Sequence, residues 1–137
     1  MNAPLNAQTE NVLQRASLQA SIVQALSKHL PPHALLYQNE DTTPYECDGL
    51  TAYRQRPLVV ALPETEAQVQ AVLRSCHALG VPVVARGAGT GLSGGAMPHA
   101  LGVTLSLAKF NKIIQIDAHS RTARVQCGVR NLAISEA

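Results

Sequence analysis

Aromatic side chains make up only 3% of this 137-residue chain, too few for the stacking platforms that carry single-stranded nucleic acid. Charged residues are scarce as well, at 15%, and the net balance of +2 comes from Lys and Arg scattered along the chain. That removes the electrostatic footprint of a nucleic-acid-binding protein. No apolar run approaches the roughly 20 residues that cross a bilayer. The start, Met1–Ala7, has neither the basic opening nor the apolar middle of a signal peptide. These absences predict a cytoplasmic chain without a membrane span. The three cysteines, Cys47, Cys76 and Cys127, are odd in number, far apart and free of any C-x-x-C pair. They read as structural thiols in a reducing compartment. The five histidines are equally dispersed, and none pairs at metal-ligand spacing, so no metal site is expected.

What the chain does have is apolar content, 46%, in a length that suits one ordinary domain. Residues 1–16 are polar and patternless and read as a flexible tail. From Ser17, a candidate N-cap, Leu18, Ile22, Leu26 and Leu30 recur every fourth residue as a helix stripe that Pro31-Pro32 stops. Residues 33–56 lack periodicity, so 17–56 is expected to form one helix and an irregular connecting segment. Order becomes legible at Leu58–Leu62, a continuous apolar run of the kind found in a strand covered on both faces. Thr65 and Gln68 then form a capping box that opens a helix with Val69, Val72, Leu73, Cys76 and Leu79 on one face, closed by Gly80. Val81–Ala85 starts a second strand. Strand, helix and strand at this spacing predict a βαβ unit with parallel strands. Farther on, Gly102–Leu107, Lys112–Asp117 and Thr122–Gln126 read as strands, the last two as an antiparallel hairpin, and Leu132–Ala137 as the opening of a helix.

Between these elements lies Arg86-Gly87-Ala88-Gly89-Thr90-Gly91-Leu92-Ser93-Gly94-Gly95. Five of the chain's nine glycines fall within its last nine residues. A simple turn needs one or two glycines, so this density points to main-chain N–H groups gathered around a phosphate. Gly89–Gly94 matches G-x-G-x-x-G, and Asp117 stands at a fitting distance beyond it, which imitates a dinucleotide fingerprint. That fingerprint must open a helix. Gly94-Gly95-Ala96-Met97-Pro98 cannot, and the next regular element is a strand. The Walker A form fails because no lysine ends the loop. Two readings remain, a phosphate cradle with no helix behind it and a glycine loop packed on its own neighbours. Thr90 and Ser93 offer hydroxyl donors. Arg86 either brings charge to a phosphate or bonds loop carbonyls.

The Arg86–Gly95 stretch resembles the pyrophosphate loop of the FAD-binding fold shared by vanillyl-alcohol oxidase and p-cresol methylhydroxylase. Within that family the chain is similar to the glycolate oxidase flavoprotein subunits and D-lactate dehydrogenases. Pro44–Leu50, Pro57–Pro63 and Ala123–Leu132 carry the likeness beside the loop. It implies an α+β fold, a p-cresol methylhydroxylase type FAD-binding domain over 57–137 with an N-terminal βαβ lobe and the incomplete start of a second lobe.

The resemblance also implies a site. Gly87, Ala88, Gly89, Thr90 and Gly91 would bind the FAD diphosphate through backbone N–H groups. Arg86, Leu92, Ser93, Gly94 and Gly95 would flank it, with Gly128 and Val129 at the end of the final stretch. Relatives with covalent flavin carry histidine where this chain has Thr90, so non-covalent FAD is implied. Cys127 stands where relatives usually have proline. Family enzymes run several hundred residues longer, and the side chains that handle a small 2-hydroxy acid lie in that part. No catalytic residue is therefore expected here, and the chain is expected to be the inactive N-terminal portion of a 2-hydroxyacid oxidoreductase, peripheral to the inner membrane if other glycolate oxidase subunits bind it. The competing expectations are a truncated non-catalytic remnant or subunit-association lobe, and a small nucleotide-binding regulator.

Overall fold

The computed structural model describes residues 7–137. Its first helix, α1, spans Ala7–Leu26, so it begins ten residues before Ser17. Residues 7–16 of the expected tail are helical, and residues 1–6 lie outside the described part. The 7–16 stretch, with two Ala, two Gln and one each of Glu, Leu and Arg, has helix propensity without an apolar stripe, since Val12 and Leu13 stand 65% and 58% exposed. The stripe proper does what its spacing predicts: Ile22, Leu26 and Leu30 are buried. The regular helix ends at Leu26, and one more turn ties the N–H groups of His29 and Leu30 to the Leu26 carbonyl, both at 3.0 Å.

The segment expected to be irregular holds a two-residue strand β1 (Leu35–Leu36), a one-turn helix α2 (Asn39–Thr42) and short 3-10 turns on either side. Elements this short carry no period for a sequence reading to find. β1 pairs antiparallel with β2 (Val59–Ala61), Leu35 opposite Ala61. All three residues of β2 are buried, as a continuous apolar run requires. Helix α3 (Glu66–Leu79) is capped as its sequence dictates. The Thr65 hydroxyl accepts the Gln68 N–H at 3.2 Å, and the Gln68 side chain reaches back to the N–H of Glu64, one residue earlier than a standard box. Gly80 closes it in the left-handed conformation, φ 64°.

Strands β3 (Val83–Arg86) and β4 (Val103–Ser106) complete a four-stranded sheet in the order β1-β2-β4-β3. β2 and β3 are parallel, as the strand-helix-strand pattern requires, with β4 hydrogen-bonded between them. Val59, Ala61, Val103 and Leu105 join Ile22, Leu26, Val72 and Cys76 in one core beneath α1 and α3. Each such buried aliphatic side chain contributes about 1.5–3 kcal/mol. The intervening positions Val60, Thr104 and Ser106 are buried too. Gln19 of α1 donates to the Leu58 carbonyl at 2.8 Å and binds the helix to the start of β2.

The predicted hairpin is present as a second sheet, β5 (Ile113–Asp117) against β6 (Thr122–Val125), antiparallel with a bulge between Ile113 and Gln115. Asp117, the acidic residue that imitates a ribose ligand, instead accepts the Ser120 N–H at 3.0 Å in the hairpin turn. Bonds from the Ser120 backbone and side chain hold its carboxyl below the usual range. A final helix, α4, runs over Asn131–Glu136. This α+β arrangement is the expected fold class.

Candidate cofactor-binding site

Parallel strands expose their carboxyl ends at one edge, where ligands of such sheets bind. Arg86 ends β3 opposite Ser106 of β4. The glycine loop and the segment after β4 therefore leave the sheet side by side. The Leu107 N–H donates to the Arg86 carbonyl at 2.9 Å and keeps the two exits together. Gly128, far along the chain, is fixed to the same place, its N–H donating to the Phe110 carbonyl at 2.8 Å. The result is a cavity of about 390 Å³ lined by Gly87, Ala88, Ala108, Asn111, Gly128, Val129, Arg130 and Ala133. Two separate parts of the expected site, the start of the loop and Gly128-Val129, thus line one cavity. Asn111 lies outside every motif, and Arg130 lies in the final stretch that carries the likeness, with no role assigned to its side chain.

Residues 87–102 form neither helix nor strand, as the two glycines and the proline require. Gly89 and Gly94 have φ of 73° and 79°. Within the described residues, none of the backbone N–H groups from Gly87 through Ser93 donates to a protein acceptor. Gly87, Ala88, Thr90, Gly91, Leu92, Ser93 and Gly95 are exposed, and a Cβ at Gly87, Gly91 or Gly95 would meet open space. A run of free donors facing open space fits a polyanion such as the diphosphate of FAD. The packed-loop alternative requires donors turned onto neighbouring carbonyls, which this loop does not show.

Arg86 bonds a carbonyl outside the loop. Its Nη1 donates to the Cys47 carbonyl at 2.7 Å, and the guanidinium lies 5.5 Å from the centre of the Tyr45 ring. It also fills the space that a Cβ on Gly89 would need. The residues that receive it belong to Pro44–Leu50, a stretch whose side chains carry no role that sequence alone assigns. Asp48 in that stretch is 4% exposed. Its Oδ2 accepts the Gly94 N–H at 2.9 Å and its Oδ1 the Leu50 N–H at 3.0 Å. Gly49 donates its N–H to the Gly91 carbonyl at 3.0 Å, and a Cβ there would come within 2.6 Å of the Thr90 carbonyl oxygen. An acid before glycine ahead of a strand is the available signal, but nothing local says that its partner lies 46 residues on.

Cys76 is buried in the core, where desolvation pushes its thiol up to about 11, and Cys127 is exposed beside Gly128. Among the described residues no group of three His, Cys, Asp or Glu side chains is placed to hold a metal ion. No described helix is long and apolar enough to cross a membrane.

Residues 57–137 match a protein-family model described as an FAD binding domain. Over 117 residues the chain is 57% identical to the glycolate oxidase subunit GlcD of Escherichia coli, covering 85% of this chain and 23% of that protein. It is 36% identical over 113 residues to a D-2-hydroxyglutarate dehydrogenase of Xanthomonas citri, covering 82% of this chain and 24% of the relative. The chain spans about a quarter of the length of these curated relatives. Its backbone is similar to p-cresol methylhydroxylase, with a TM-score of 0.76 and 26% identity over 88% of this chain and 24% of that one. Alkyldihydroxyacetonephosphate synthase shares the fold at a TM-score of 0.73 and 18% identity, covering 85% and 24%. The family match takes in the glycine loop and Gly128-Val129 together, and the chain belongs to the FAD binding domain family.

Proposed function

We propose that Gly87, Ala88, Gly89, Thr90 and Gly91 hold the FAD diphosphate through their backbone N–H groups, with Leu92, Ser93, Gly94 and Gly95 closing the far side of the loop. Gly128 and Val129 contribute the opposite wall. Arg86 acts on the loop from behind, since its guanidinium is already engaged by Cys47 and Tyr45. The observation that carries this reading is the run of N–H groups from Gly87 through Ser93 that meet no acceptor among the described residues, beside a cavity that Gly87 and Gly128 both line. Thr90 has no side-chain nitrogen with which to bond a flavin, which excludes a histidyl link at this position and supports non-covalent attachment.

The chemistry that bound FAD supplies is acceptance of a hydride from C2 of a small 2-hydroxy acid, glycolate or D-lactate. The relatives' names support that substrate class. Within this chain the residues bind and orient. The complete protein works in the cytoplasm, at the membrane only through partner subunits, and the name of the Escherichia coli relative supports such subunits. The test is the purified product of the natural gene. It should show flavin absorption, and acid precipitation of the protein should release all of the flavin as FAD. A colourless protein that fails to quench added FAD overturns the cofactor site, and yellow colour retained in the precipitate overturns the non-covalent attachment.

A further inference from the structure

The glycine loop does not keep its own shape. Among the described residues, the Gly94 N–H is the one donor from Gly87 to Gly95 that meets a protein acceptor, the buried carboxylate of Asp48. The same carboxylate accepts the Leu50 N–H, so each oxygen is fixed by one backbone donor. Beside it Gly49 approaches so closely that its N–H reaches the Gly91 carbonyl and no Cβ fits against Thr90. One residue before Asp48, the Cys47 carbonyl receives Arg86 from the end of β3. Three successive residues thus touch the loop at its base, its middle and its far end. No ion pair satisfies Asp48 among the described residues, and its two oxygens are taken by the Leu50 and Gly94 N–H groups.

We propose that Asp48 is a positioning residue for the cofactor: with Cys47 and Gly49 it braces the loop in a shape whose free N–H groups all face the diphosphate. The inference rests on the FAD reading above. The brace uses residues 47–49, which precede the matched domain at residue 57. A carboxylate is suited to this task because it only accepts, and two backbone donors converge on it. Asparagine can replace one of those contacts but must turn an NH₂ toward the other donor. The loop is thereby ordered before the cofactor arrives, and binding does not have to order it.

The experiment has two readouts on the natural gene product. Amide hydrogen exchange in the FAD-free protein should show the Gly94 N–H protected, while Gly91 and Leu92 exchange freely. In Asp48→Ala, Gly94 should lose that protection and FAD should bind about ten- to a hundredfold more weakly, the effect of losing a charge-assisted bond. Asp48→Asn should fall between Asp48→Ala and the parent, and Asp41→Asn, at an exposed acid, should match the parent in both readouts. Free exchange of Gly94 in the parent protein overturns the brace without any variant having to fold. A folded Asp48→Ala that releases Gly94 yet binds FAD as the parent does overturns the link to the cofactor. Protection of Gly94 by Asp48 in a parent protein that binds no FAD sinks the flavin reading and supports the brace.

Discussion

The guanidinium of Arg86 occupies the volume that a Cβ on Gly89 would need, where Gly89 holds a φ of 73°. Side chain and glycine are thus fitted to each other across two residues, and the glycines of the loop divide into two kinds. Gly89 is required by the protein itself. Gly87 and Gly91 face open space at ordinary φ, so the protein alone does not require them.

Alanine separates the two kinds. Gly89→Ala should destabilise the fold by at least about 1–2 kcal/mol, the cost of a left-handed alanine, and dislodge Arg86 from Cys47. Gly87→Ala and Gly91→Ala should leave stability within about 0.5 kcal/mol but weaken FAD binding about tenfold or more, roughly 1.4 kcal/mol. Thermal unfolding and a flavin fluorescence titration on the same samples check both. Unchanged FAD affinity in both open-space variants would place the diphosphate elsewhere.

The thiols should differ in reactivity. Cys127 is exposed and Cys76 is buried, with its pKa raised from 9.0 to about 11. Iodoacetamide at pH 8 should label Cys127 first and leave Cys76 untouched until the protein unfolds. The raised pKa also gives a direction in pH. The folded state keeps the thiol neutral, so its contribution is whole below pH 9, declines as pH rises through 11, and steepens loss of stability in that window. Urea midpoints measured from pH 8 to 11 in the parent and in Cys76→Ala check this, because the steepening should vanish in the variant.

Thr104 lies in the middle of β4, 1% exposed, and its hydroxyl has no hydrogen-bond partner among the described residues. Thr104→Val keeps the shape and removes the stranded polar atom. It should stabilise the protein by about 1 kcal/mol. A fall in the unfolding midpoint would mean that the hydroxyl has a bound water to lose.

The cap of α3 should respond in the usual way. Thr65→Ala loses the acceptor for the Gln68 N–H and should cost about 1 kcal/mol, while Thr65→Ser should recover most of it. Denaturant unfolding of the three proteins decides it.

Much of this fold is readable because its elements are bounded by local chemistry. Thr65, Gln68 and Gly80 delimit α3, the apolar run at Leu58 marks a doubly covered strand, and the proline after Gly94-Gly95 rules out a helix behind the loop. The unreadable parts have a common cause. The insertion of β4 between β2 and β3, the pairing of β1, and the Asp48–Gly94 bond all join residues far apart in sequence. No local period encodes them. The helical start of α1 escapes for a different reason, since propensity without an apolar face looks like a tail. At the site, the glycines announce a ligand, but the role of Arg86 turns on Cys47 and Tyr45, whose nearness only folding creates.

The brace and the antiparallel edge strand both precede residue 57, where the matched domain begins. A domain transplanted or excised at that boundary would carry the whole glycine motif and still leave behind Leu35-Leu36, which edge its sheet, and Asp48, which sets its loop. Chimeras between flavoproteins of this kind should therefore be joined ahead of Leu35, with residues 35–56 and the loop taken from the same parent. A graft that mixes parents across that junction inherits a glycine loop with the right letters and the wrong support.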